Sequence, residues 1–236
     1  GTVVDHARSS TDLCAWAPSA ASIEWPVVAG AGGATSALTS AQRVRELPPS
    51  LANPESLLLA ASGRSAWITR SGASTYVRLD DLTLQAMPSG LIALSMNGDG
   101  DAMYARASTG QLLRIALPGG ESAALDLGLA EIDALLPALD EHAGVVMGRE
   151  LPGGTTGLWW FERDSLQRTQ VSGVDATQVD PGSLRIDGTA DAVLLRQGSA
   201  LIWAQREGSS VQVHANADGV MAALTLDGSR AVFGVR

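Results

Sequence analysis

Five short apolar stretches of this sequence end in arginine: "VVDHAR" at Arg8, "AMYAR" at Arg106, "VVMGR" at Arg149, "AVLLR" at Arg196 and "AVFGVR" at Arg236. Four of them are followed, after a turn signal, by a second stretch with a large apolar or aromatic residue. These are "LCAWAP" with Trp16, "QLLRIAL" with Ile115, "LWWFER" with Trp159 and Trp160, and "LIWAQRE" with Trp203. A sixth pair, "SLLLAAS" and "SAWITRS" with Trp67, lacks the first arginine and carries Arg70 after its second stretch. Such a repeat constrains the fold strongly. One unit cannot bury its apolar faces alone and must stack on others.

The repeat extends on both sides. Upstream stand an apolar strand and an Asp/Gly turn, as in "LIALSMNGDG", "SLRIDGTAD" and "MAALTLDGS", with a looser turn in "IDALLPALDEHAG". Downstream an outer strand can follow, as in "ESAALDLG" and "SSVQVHANADG". Asn, Asp and Gly supply the left-handed backbone of tight hairpin turns. The unit is therefore strand, Asp/Gly turn, strand, turn, aromatic strand, turn, outer strand. Its period of roughly 40 to 48 residues is that of a four-stranded propeller blade. Residues 121–142 have helix-forming composition, but Gly128 and Pro137 interrupt a long helix, so strands are assigned with a short helix as the alternative. Residues 30–55 fit the repeat worst and read as a long connection, or as a degenerate blade with a short helix at 40–47.

The stretches "LTLDGSRAVFGVR", "LSMNGDGDAMYARASTGQLLRIALPGGE" and "RIDGTADAVLLRQGSALIWAQ" resemble the bacterial WD40-like propeller repeats of TolB-type proteins. The resemblance covers about 56–236 and part of 2–29; the serine and proline of that family's turn are mostly missing. The expected fold is all-β: a single β-propeller domain over 1–236, with four-stranded antiparallel blades near 56–88, 90–128, 131–173 and 180–217. A propeller must close, or its terminal strands become exposed sheet edges. Strands near 220–226 and 231–235 are therefore expected to join strands near 3–6, 13–17 and 23–28 in a composite closing blade, 220–236 plus 2–29. That makes five blades, with six or seven open if 30–55 contributes. One difficulty stays with this count. "VVDHAR" and "AVFGVR" look like the same strand of the unit, and one blade has room for one of them.

Composition narrows the function classes. The net charge is −9 with a pI near 4.7, which argues against nucleic acid and against an anionic membrane surface. Cys14 is the sole cysteine, so neither an internal disulfide nor a cysteine-based zinc site is available. No apolar run reaches the length of a membrane-spanning helix. No signal peptide is recognisable, and Gly1 fits a residue left by removal of a leading segment. An extracytoplasmic location, periplasmic or secreted, is the expectation.

Equivalent strand ends in a propeller fall on one ring, so Arg8, Arg106, Arg149, Arg196 and Arg236 form a candidate anion-binding ring. The plainer reading pairs them with the 25 acidic residues or lays their stems on apolar surface. The tryptophans could stack on sugars; wedge-filling between blades is simpler. "NGDGD" at 97–101 starts like a calcium loop, but Ser108 occupies the place of the closing glutamate, and a hairpin turn needs the same residues. His6, His142 and His214 show no metal spacing, there is no GxSxG, and a P-loop is excluded because the chain has no lysine. No catalytic residue, metal or cofactor is assigned. The expectation is a non-enzymatic binding propeller, monomeric, from a bacterial exported or envelope protein, presenting loops to a protein, peptide or glycan. The alternative is a carbohydrate-active enzyme using two carboxylates at a central cleft, with Asp80, Asp81, Glu141, Glu162 and Asp164 as sources. A purely structural fragment of a longer chain is a third reading.

Overall fold

The computed structural model describes residues 15–16, 27–31, 35–40, 43–46, 49–51, 54–60, 64–79, 81, 83–216, 221–224 and 231–234. The chain divides into two compact units, 1–89 and 90–236.

The first unit holds two four-stranded antiparallel sheets. One runs in the order β1 (Ala15–Trp16), β2 (Val27–Ala31), β3 (Thr35–Ser40) and β4 (Arg43–Glu46). The other is β5 (Ser56–Leu59), β6 (Ser65–Arg70), β7 (Ala73–Arg78) and β8 (Leu84–Ala86). Residues 30–55 thus contribute strands where a long connection or a degenerate blade with a helix is expected. The strands expected near 13–17 and 23–28 are β1 and β2, which pair with each other, and β2 continues the sheet to β3 and β4. The expected strand near 3–6 lies outside the described residues.

The second unit repeats the same meander three times. The strands are β9 (Leu91–Met96), β10 (Ala102–Ala107), β11 (Leu112–Ala116) and β12 (Ser122–Ala124); β13 (Glu131–Pro137), β14 (Ala143–Arg149), β15 (Thr156–Glu162) and β16 (Arg168–Gln170); and β17 (Arg185–Ile186), β18 (Ala192–Gln197), β19 (Ala200–Gln205) and β20 (Val211–His214). A two-stranded sheet of β21 (Met221–Leu224) and β22 (Ala231–Gly234) follows. The stretch 121–142 forms β12 and β13, not a helix.

Burial explains the strand sequences. All but the last residue of β14 is buried, because both faces of this strand are covered. Val146 packs with Tyr104, Leu112, Ile132 and Phe161 on one side. Val145 and Met147 pack with Leu158, Trp160, Val193 and Leu195 on the other. Core therefore lies between successive sheets, and the outer strands β12, β16 and β20 are short and largely exposed. Trp160 fills the inter-sheet layer and is 2% exposed, the wedge role expected of the aromatic strand.

Among the described residues, the turn joining the first two strands recurs in four of the sheets. The residue after the first strand donates its N–H to the carbonyl five residues on: Ala60 to Ser65, Asn97 to Ala102, Ala138 to Ala143 and Asp187 to Ala192, at 2.8–3.2 Å. Within it, Gly100, Glu141 and Ala190 occupy the same left-handed position, with φ of 76°, 62° and 59°.

Candidate functional site

The opposite end of these sheets carries the arginines. In β10, β14 and β18 the buried central residues give way to partly exposed residues at the C-terminal end. Arg106, Arg149 and Arg196 stand there. A guanidinium is too costly to bury among apolar side chains, so it emerges where the strand leaves the core. Arg106 Nη1 donates to the Ile132 carbonyl at 2.9 Å, reaching from its own sheet to β13 of the next. Arg149 donates to the Glu131 carboxylate and lies 3.8 Å from Asp133. The Arg149 hydrogen bond, the Gly153 N–H and the nearby Arg106 charge hold Glu131 below the usual carboxylate range. Arg106 and Arg149 are thus gathered around Glu131. Arg196 stands on its own partner, Asp180, which also accepts from Gly182 N at 3.0 Å, and its main-chain N–H donates to Ser183 Oγ at 2.9 Å. Arg8 and Arg236 lie outside the described residues.

The result is a set of partly exposed arginine–acid pairs at equivalent strand ends. The side chains of Arg149 and Arg196 are 32% and 36% exposed, and those of Glu131, Asp133 and Asp180 are comparably open. Exposed pairs of this kind are held weakly, so a ligand carboxylate can compete for the guanidinium forks.

No family model and no curated protein matches this chain. Solved structures do. TolB from Acinetobacter baumannii superposes with a TM-score of 0.60 at 13% identity, over 86% of this chain and 57% of that one. A putative TolB from Agrobacterium tumefaciens gives 0.59 at 10% identity, over 85% and 80%. Kuenenia stuttgartiensis hydrazine synthase gives 0.59 at 10% identity, over 94% and 82%. The fold is a TolB-like β-propeller. The likeness is one of fold alone, and the chain spans 57% of the length of the Acinetobacter protein.

The other end of the propeller's second unit holds a buried polar cluster. Glu141, 5% exposed, accepts from Asn97 Nδ2 at 2.6 Å and Tyr104 Oη at 2.9 Å, and from Arg114 through Nε at 2.6 Å and Nη2 at 3.0 Å. Arg163 Nη1 lies 3.9 Å away. Burial alone would raise the Glu141 pKa; the donors from Arg114, Tyr104 and Asn97 outweigh it, and the carboxyl sits below its ordinary value. Burial and the neighbouring Glu141 charge push the Tyr104 phenol up. The cluster ties a turn of one sheet to β10 and β11 of the preceding one.

The carboxylates named as candidate glycosidase groups are engaged by arginine wherever they are described. Asp81 pairs with Arg78, Glu141 with Arg114, Glu162 with Arg206 and Asp164 with Arg163. The oxygens of "NGDGD" serve its turn: Asn97 Oδ1 accepts from Gly100 N at 2.9 Å and Ala102 N at 3.1 Å. Among the described residues no three His, Cys, Asp or Glu side chains group as a metal site, and no helix is long and apolar enough to cross a membrane.

Sequence reasoning missed the acids that face the arginines. One was findable. Glu131 and Arg149 lie nine residues either side of Asp140 in the hairpin turn, so an antiparallel pairing sets them opposite. Asp180 gave no such signal, because it sits in the connection before β17.

Proposed function

We propose that this chain is a non-enzymatic interaction propeller of a bacterial exported or envelope protein. Its arginine-bearing end, with Arg106, Arg149 and Arg196 and extended by Arg8 and Arg236, takes a carboxylate-bearing protein, peptide or glycan. The observation that carries the reading is the partly exposed guanidinium at three equivalent strand ends, two of them held by surface acids that a ligand can displace and Arg106 by the Ile132 carbonyl. A rigid sheet positions each one, so little entropy is lost on binding. The engagement of the described candidate carboxylates by arginine supports this reading over a glycosidase, whose carboxylates must face a substrate.

The test is a screen of acidic peptides, proteins and uronic-acid glycans against the wild-type chain and the Arg149→Ala/Arg196→Ala variant. A wild-type partner lost in the variant, with weakening affinity at higher salt, is the expected result. Turnover of a glycan by the wild type, or a partner unaffected by the substitutions, would overturn it. Fractionation of the native protein in its source cell tests the extracytoplasmic assignment.

A further inference from the structure

Asn97 and Gly98 form the single Asn–Gly pair among three asparagines in the chain. Asn53 precedes Pro54, which has no N–H, and Asn216 precedes Ala217. An Asn–Gly pair is the most reactive setting for deamidation, because no side chain hinders the approach of the glycine nitrogen. That nitrogen loses its proton to hydroxide and attacks the asparagine Cγ. A bond forms between Gly98 N and Asn97 Cγ, the Cγ–Nδ2 bond breaks, and ammonia leaves with a proton from solvent. Water then opens the succinimide at either carbonyl to give aspartate or isoaspartate.

The fold obstructs each of these steps. Asn97 is 4% exposed, so hydroxide does not reach it freely. Its Oδ1 accepts two main-chain hydrogen bonds, from Gly100 and Ala102, which pin Cγ. Its Nδ2, the leaving nitrogen, donates to Asp101 Oδ1 and Glu141 Oε1, each at 2.6 Å. Together these bonds fix the side chain in the turn, so the turn must open before Cγ can reach the glycine nitrogen and Nδ2 can leave. The packing also explains why the reactive glycine is there. A Cβ on Gly98 would lie 2.4 Å from Leu139 Cδ2 and 3.1 Å from the Leu139 Cα, in the turn of the next sheet.

We propose that Asn97 is a deamidation site held shut by the native turn, so that opening of this inter-sheet contact is recorded as an irreversible change. The product places a carboxylate where Nδ2 now donates to two others, at Asp101 and Glu141. Two donors are replaced by like charge in a buried site, and the modified chain does not rebuild the contact.

The experiment incubates the full chain at mildly alkaline pH, native and in urea, and maps residue 97 by peptide mass and isoaspartate content. Conversion is expected to be slower by about tenfold or more in the native chain, because it must pass through an opening of the turn. Glu141→Ala, which removes one Nδ2 acceptor, should convert faster than wild type under native conditions. Asn97→Asp should melt below wild type. If native and urea-unfolded wild type convert at the same rate, the proposal is overturned without need of any variant. An Asn97→Asp protein as stable as wild type would overturn its second half.

Discussion

Arg114 and Glu141 meet through two hydrogen bonds, Nε to Oε2 at 2.6 Å and Nη2 to Oε1 at 3.0 Å, and so join the third strand of one sheet to the first turn of the next. The Glu141 side chain is 6% exposed and that of Arg114 is 32% exposed. Glu141→Ala leaves Arg114, Tyr104 and Asn97 without their shared acceptor. Because Arg114 keeps access to water, the loss should fall at the lower end of the range for a broken buried pair, about 3 kcal/mol. Urea unfolding at neutral pH measures it.

The same carboxylate makes the contact acid-sensitive. Its folded pKa lies below the ordinary 4.5. A depressed carboxylate contributes in full above its unfolded pKa, and the contribution is lost as pH falls through the folded value. The stability gap between wild type and Glu141→Gln should therefore narrow on acidification. A gap that stays constant from neutral to acid pH would count against Glu141 as the titrating group.

Gly148 sits in β14 one residue before Arg149, where a Cβ would stand 2.1 Å from the Glu131 carbonyl oxygen and 3.2 Å from the Ile132 Cα. These are main-chain atoms of the paired strand β13, which cannot yield as a side-chain tip would. Gly148→Ala should destabilise by about 2–3 kcal/mol through overpacking. It should also disturb the Arg149–Glu131 pair, visible as weaker ligand binding in the screen above.

Ser71 and Gly72 make a two-residue hairpin loop with φ of 51° and 73°. Two left-handed residues fit a type I′ turn, which favours Asn-Gly. Ser71→Asn should raise stability by about 0.5 kcal/mol, since asparagine tolerates this region better than serine. The Glu55 carboxylate bonds the main-chain N–H of residues 71 and 72 and is undisturbed by the change. A melting temperature at or below wild type would contradict this reading of the turn.

Arg149→Ala and Arg196→Ala separate binding from folding. Both pairs are partly exposed and solvent-screened, so each substitution should leave stability nearly unchanged. Thermal melts near wild type, together with lost ligand binding, are the expected combination.

What could be read from residues alone was local. Hairpin turns announce themselves through Asn, Asp and Gly at fixed places, and "NGDGDA" and "DGTADA" build the same hydrogen-bonded turn the repeat suggested. The looser "ALDEHA" builds it as well, with Glu141 accepting the left-handed place that Gly100 fills in its neighbour. The aromatic third strand was legible too, because Trp160 fills the inter-sheet layer by size. Residues 30–55 fitted the repeat worst because "GATSALTS" lacks the large apolar residues that mark the other strands, and its small Thr, Ser and Ala still form β3 against β2.

The sequence by itself determined the strand-and-turn unit, its repetition and the placing of arginines at strand ends, since all three depend on residues within one hairpin. Only the tertiary structure decided what those side chains touch. Asn97, Tyr104 and Arg114 stand 44, 37 and 27 residues from Glu141, and Arg106 reaches a carbonyl 26 residues away. Such partners belong to different sheets. Stacking sets them together, and a buried charge takes its partner from whatever the neighbouring sheet presents.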